Sequence, residues 1–119
     1  METFEPLPDR AVLNAEAGTF KELNVTIEPE LRPIVGRMVA HYRETERGAT
    51  IIGYVVARGD KLRVEVSGHA VATITPQQAR HLLPKVEALG GSIACTVNTQ
   101  PDSNGQQYVY GVIVYMPKP

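Results

Sequence analysis

Three histidines, His41, His69 and His81, and one cysteine, Cys95, are the residues best suited to ligate a metal. None of their spacings matches the closely paired ligands of a zinc site, so no metal or other cofactor is expected. Cys95 alternates with Ile93 and Val97 in "SIACTVN" and should point into a core as a small hydrophobe. A reactive thiol needs an electropositive, accessible setting, and the neighbouring residues supply none. The serines fall in turns or at a strand start, without the sharp strand-to-helix elbow of a nucleophilic serine. Neither a G-x-x-x-x-G-K nor a G-x-G-x-x-G run is present. An anion could meet bare amides at a helix start near Pro76, but Thr75 and Gln78 are expected to satisfy them. These absences predict a protein that is not an enzyme.

The remaining chemistry is charge. Residues 1–31 carry Arg10 and Lys21 against seven acids, a net of −5, whereas residues 32–63 carry seven cations against Glu44, Glu46 and Asp60, a net of +4. The rest is neutral, and the whole chain sums to −1 with a pI near 6.3. Arg43, Arg47, Arg58, Lys61 and Arg63 lie near Tyr42 and Tyr54 in sequence. Arginines that hold phosphates beside a tyrosine that stacks on bases are what a single-strand binder needs. The opposing reading is a solvated charged face with its tyrosines in the core, and the modest pI favours it. "RGD" at Arg58–Asp60 and the Asn24-Val25-Thr26 sequon would matter only outside the cell. The first is better explained as a hairpin turn.

The elements that must position these groups fit one domain. At 119 residues and 43% apolar content, a single core is feasible without disulfides. One cysteine fits a reducing compartment, and no apolar run approaches the ~18 residues of a membrane span. "METFEPLPDR" has acids and prolines where a signal peptide needs a basic start, so a cytoplasmic location is expected. Residues 1–19 read as a disordered lead and residues 20–119 as the folded domain.

"LNVTIEP" (Leu23–Pro29) alternates as a strand. Ile34, Val35, Met38, Val39 and Tyr42 make one helical stripe, with Pro33 at its first turn and Gly48 as its stop. Gly36 weakens that helix by about 1 kcal/mol. A strand over the same residues is the alternative, because "IVGRMVAHY" is rich in β-formers. A meander follows: "TIIGYVVAR" (Thr50–Arg58), a Gly59-Asp60 turn, a strand bearing Leu62, Val64 and Val66, a Ser67-Gly68 turn, and a third strand from His69 to Ile74. Thr75, Pro76 and Gln78 form a capping box opening a helix whose buried stripe is Ala79, Leu82, Leu83, Val86 and Leu89. Pro84 should kink or restart it. "SIACTVN" and the central strand "YVYGVIVYM" (Tyr108–Met116) close the chain through "QPDSNGQ", read as a mobile loop. The expected fold is α+β: a small, twisted, mostly antiparallel sheet or partly closed barrel with one or two helices.

From Lys61 onward, "LRVEV", the "SG" turn and "AVATITPQQARHLLPKV" resemble the HIRAN domain, a small β-rich module of some helicase-like DNA-repair proteins. The resemblance covers roughly half the chain and extends to "SIACTV" and "YVYGVIVYM", similar to that family's closing strands. It implies a domain that grips the free 3′ end of single-stranded DNA. The family's Asn-Pro-x-Asp-x-Asn-Ala run is absent here, and only Asp60 stands near the place of its acid. The leading expectation is therefore a non-catalytic module contacting single-stranded nucleic acid or a DNA end through Tyr54, Arg58, Asp60, Lys61, Arg63, Arg43 and Arg47. The alternative is a small regulatory factor that binds a partner protein. No oligomeric state follows from the sequence.

Overall fold

Strands whose alternate residues are Leu, Val and Ile have one apolar face each, and a sheet of such strands must bury that face. In the computed structural model, which describes residues 3–8, 18–26, 28–48 and 50–117, six strands do so by closing on themselves. The elements run β1 (Gly18–Thr26), a 3-10 turn (Pro29–Leu31), α1 (Arg32–Thr45), β2 (Ile52–Arg58), β3 (Lys61–Val66), β4 (His69–Ile74), α2 (Pro76–Ala88), β5 (Ser92–Pro101) and β6 (Gln107–Pro117). The order around the closed barrel is β1-β4-β3-β2-β5-β6, and every neighbouring pair is antiparallel.

Residues 33–47 are thus helical up to Thr45, and the strand alternative falls. Val35, Met38, Val39 and Tyr42 are buried along one α1 face, so tertiary burial decides for helix over local β-propensity. β1 begins at Gly18, earlier than the Leu23 expected, and Ile27 lies outside the described residues. Of the lead expected over residues 1–19, Thr3–Pro8 lie against the domain, where Phe4 and Leu7 pack on the core, while residues 9–17 lie outside the described residues.

The barrel's two ends are closed by the two helices. α1 joins the end of β1 to the start of β2 and packs on β6 and β4, whereas α2 joins the end of β4 to the start of β5 and packs on β2, β3 and β5. Because the strands alternate in direction, the β3–β4 and β5–β6 turns lie at the α1 end, and the β2–β3 turn lies at the α2 end. Leu23, Val55, Leu62, Val64, Val66, Ile74, Val112 and Val114 fill the interior between them, each essentially inaccessible to solvent. Burying each such side chain stabilises the fold by roughly 1.5–3 kcal/mol relative to leaving it exposed.

The α2 cap differs from the expected capping box. The Thr75 amide donates to the Asn24 carbonyl at 3.1 Å, extending the β1–β4 ladder by one bond. With that donor taken, Gln78 Oε1 instead accepts the Asn24 amide at 2.6 Å. The helix runs unbroken through the exposed Pro84, so it does not restart there. Its buried stripe is Ala79, Leu82 and Val86; Leu83 is only partly covered, and Leu89, past the last turn, is 43% exposed.

The loop before β6, expected to be mobile, is pinned. Asp102 Oδ1 accepts the Asn104 and Gln106 amides at 2.8 and 3.0 Å, and its other oxygen pairs with Arg32 of α1. Partial desolvation raises the Asp102 pKa, but the two amides and the Arg32 guanidinium outweigh it and hold the carboxyl below its usual range.

Two glycines should respond oppositely to an added methyl. A Cβ on Gly53 would meet the Glu65 carbonyl at 2.7 Å and a Val66 methyl at 2.9 Å inside the barrel wall, whereas one on Gly36 of α1 meets nothing within 4 Å. Gly53→Ala should lower stability by about 1–3 kcal/mol, and Gly36→Ala should raise it by about 0.5–1 kcal/mol. Urea melts of the two variants read both signs.

Asp102 sets a pH dependence. Its contribution is complete above the ordinary carboxylate pKa of about 3.9 and is lost as pH falls through the lower folded-state value. In an NMR titration the Asp102 carboxyl should titrate below that ordinary value, and the Asn104 and Gln106 amides should shift in the same step. Amides that ignore this step would refute the assignment.

Candidate nucleic-acid interface

β2 and β3 are joined by the two-residue turn Gly59-Asp60, with Arg58 facing Lys61 and Gly59 at φ +65°. That register sends Val55, Leu62, Val64 and Val66 inward and leaves Tyr54, Val56, Arg58, Lys61, Arg63 and Glu65 on the outer face. Tyr54 faces Glu65 across the ladder and is half-buried, while Arg58, Lys61 and Arg63 are exposed. The sequence-predicted set is therefore split. Tyr54, Arg58, Asp60, Lys61 and Arg63 share one hairpin, but Arg43 in the last turn of α1 and Arg47 just after it stand at the opposite end of the barrel.

The cations of the hairpin are not equivalent. Arg58 is engaged by Glu65 through two hydrogen bonds, Nε to Oε2 and Nη2 to Oε1, both 3.1 Å. Those bonds, with the Glu65 charge, raise the Arg58 pKa above its ordinary value. Among the described residues, Lys61 and Arg63 form no ion pair.

Beside the hairpin lies a groove of about 520 Å³ between the β2–β3 turn, the end of β1 and α2. Asp60 and Lys61 line it with Glu28, Thr73, Arg80 and Leu83. Thr73 donates its hydroxyl to Glu28, and Thr73 also faces Arg63 across the β3–β4 ladder. Arg80 was not singled out from the sequence; it sits on α2 four residues after Pro76, on the solvent side of that helix. Two cations, Lys61 and Arg80, and two acids, Glu28 and Asp60, line the same groove with no ion pair between them among the described residues, and Arg63 adds a third cation at its border.

Tyr54 also borders a stretch of wall in which Ile52 and Thr96 are buried and Ala94 and Ile113 are partly covered. Ala94 faces Tyr54, Ile113 faces Thr96, and Thr96 faces Ile52 across β6, β5 and β2. At its far side Phe20 of β1, 70% exposed, meets Tyr115 of β6 edge-on with ring centroids 5.0 Å apart. Neither ring was legible as a surface group, because β1 was expected to start only at Leu23 and Tyr115 to lie in a central strand.

Cys95 is fully buried, and burial pushes its thiol up to about 12 despite a backbone hydrogen bond to Gly53. At neutral pH it is a protonated core group. Among the described residues, no three His, Cys, Asp or Glu side chains cluster as a metal site, and no helix is long and apolar enough to cross a membrane. No family model, curated protein or solved structure matches the chain.

Proposed function

We propose that this protein is a non-catalytic module that contacts single-stranded nucleic acid or a DNA end through the outer face of the β2–β3 hairpin and the adjoining groove. One observation carries the proposal: the hairpin register aligns a half-exposed tyrosine, Tyr54, with two cations, Lys61 and Arg63, that form no ion pair among the described residues. Lys61, Arg63 and, across the groove, Arg80 would hold successive phosphates, and Tyr54 would receive a base. Arg58, held by Glu65, supports the face rather than gripping the ligand. The resemblance of this half of the chain to the HIRAN domain adds a preference for a free 3′ end, and its single core cysteine suits a reducing, cytoplasmic setting.

A partner protein is the second reading, favoured by the exposed Phe20–Tyr115 pair on the outer wall. Salt separates the two. Phosphate contacts release counterions, whereas an apolar interface does not.

The test is fluorescence anisotropy of labelled single-stranded DNA, with the 3′ end free or blocked, over a range of salt. Three phosphate contacts give a log–log salt slope of about −2, from roughly 0.7 per contact. Lys61→Ala, Arg63→Ala and Arg80→Ala combined should flatten that slope toward zero and weaken binding at low salt by at least tenfold. Unchanged affinity in the triple variant would sink the proposal.

A further inference from the structure

At the α1 end, opposite the hairpin, the segment Thr3–Pro8 lies along a groove between α1 and the β3–β4 turn. Side chains of the barrel read its backbone. The Glu5 amide donates to Ser67 Oγ at 2.9 Å, and the Tyr42 hydroxyl donates to the Glu5 carbonyl at 2.7 Å. Tyr42 and Ser67 oxygens are 3.0 Å apart. Because the Tyr42 hydrogen is already committed to Glu5, the Ser67 hydroxyl donates to Tyr42, and a closed ring of three hydrogen bonds clasps one residue of the segment. His69 Nε2 donates to the Thr3 carbonyl at 3.0 Å, and the Leu7 amide donates to Glu46 Oε2 at 2.8 Å.

The side chains of the segment supply the apolar half. The Phe4 ring sits 5.5, 6.0 and 5.2 Å from the rings of His41, Tyr42 and His69, and Leu7 packs against the core. This division, with the backbone held by polar side chains and two apolar side chains, Phe4 and Leu7, held by the core, is how an extended peptide can be recognised.

A second observation points to the same place. Among the described residues, Ser67 alone is a non-glycine with positive φ, at +52°. In a two-residue turn with positive φ at both positions, glycine or asparagine is favoured, and another side chain is strained there. The strained serine is also the residue whose hydroxyl is the centre of the ring that binds Glu5. Strain held at a contact point marks a functional position.

We infer that the groove formed by Tyr42, Glu46, Ser67 and His69 is a peptide-binding site that Thr3–Pro8 occupies in cis. Its ligand in trans is an extended segment of a partner protein carrying an aromatic residue and a leucine-like residue three positions after it. The chain's own "FEPL" (Phe4–Leu7) is the reference ligand. The site stands apart from the hairpin face, so it is independent of the nucleic-acid proposal.

The test uses the full chain with Phe4→Ala and Leu7→Ala, which vacates the groove, and a fluorescein-labelled peptide of residues 1–12 as probe. Circular dichroism first checks that each variant is folded. The peptide should bind the double variant at least tenfold more tightly than the wild-type chain, whose groove is filled. The same peptide carrying both alanines should lose at least tenfold. Adding Ser67→Gly to the double variant separates recognition from folding: thermal stability should hold or rise as the strain is relieved, while peptide affinity falls about tenfold. A folded double variant that fails to bind the peptide would overturn the inference. So would equal affinity for wild type and double variant, or peptide affinity unmoved by Ser67→Gly. A wild-type chain that is a dimer in solution and becomes monomeric in the double variant would make a second copy the occupant and overturn the partner assignment.

Discussion

Closure of the barrel is the constraint on which the other features depend, and β1 carries it with very unequal hands. Its long side pairs seven residues, Gly18–Asn24, with β6, but its short side pairs only Val25 and Thr26 with β4. Without the short side the sheet would have two open edges, each a row of unpaired backbone groups. The bonds from Thr75 to Asn24 and from Asn24 to Gln78 lengthen this seam beyond the two ladder pairs. The first turn of α2 thus serves the sheet as much as the helix, which explains why a sequence shaped like a capping box does not act as one.

The shape of the seam also places the helices. β4 turns into α2 just past Ile74, and β1 turns into the 3-10 turn just past Thr26. Each strand therefore leaves the barrel wall where its neighbour continues, and a helix fills each gap. α1 brings Tyr42 and Glu46 to one end, and α2 brings Arg80 to the other. The described part of the acidic lead lies at the α1 end, so its carboxylate Glu5 is remote from the hairpin cations.

Local chemistry was legible in the sequence wherever it decided the structure. The turns at Gly59-Asp60 and Ser67-Gly68, the β4 limits at His69 and Ile74, and the α2 start at Pro76 all follow from turn residues, alternation and a proline at the first helical position. What was not legible depended on partners distant in sequence. Asn24 captures Gln78, Asp102 captures Arg32, and the alternating strand directions, which put the end of α1 away from the β2–β3 turn, carry Arg43 and Arg47 away from Arg58 and Lys61. Leu89 fits the apolar period but falls beyond the helix, so the period overstates the stripe. Phe4 and Leu7 gave one available signal: two large apolar residues among prolines and acids, three apart, in a stretch whose composition reads as disorder.

The placement of Cys95 gives the molecule a recorder of its own breathing. The only thiol in the chain lies sealed in the barrel wall, opposite Gly53 on one side and Val114 on the other. A small alkylating reagent meets it only when β5 parts from a neighbour or the whole domain opens. No second thiol competes for the label, so each modified molecule counts one such excursion. The rate of that slow chemistry, followed without any introduced probe, reports how often a closed cylinder of strands comes undone.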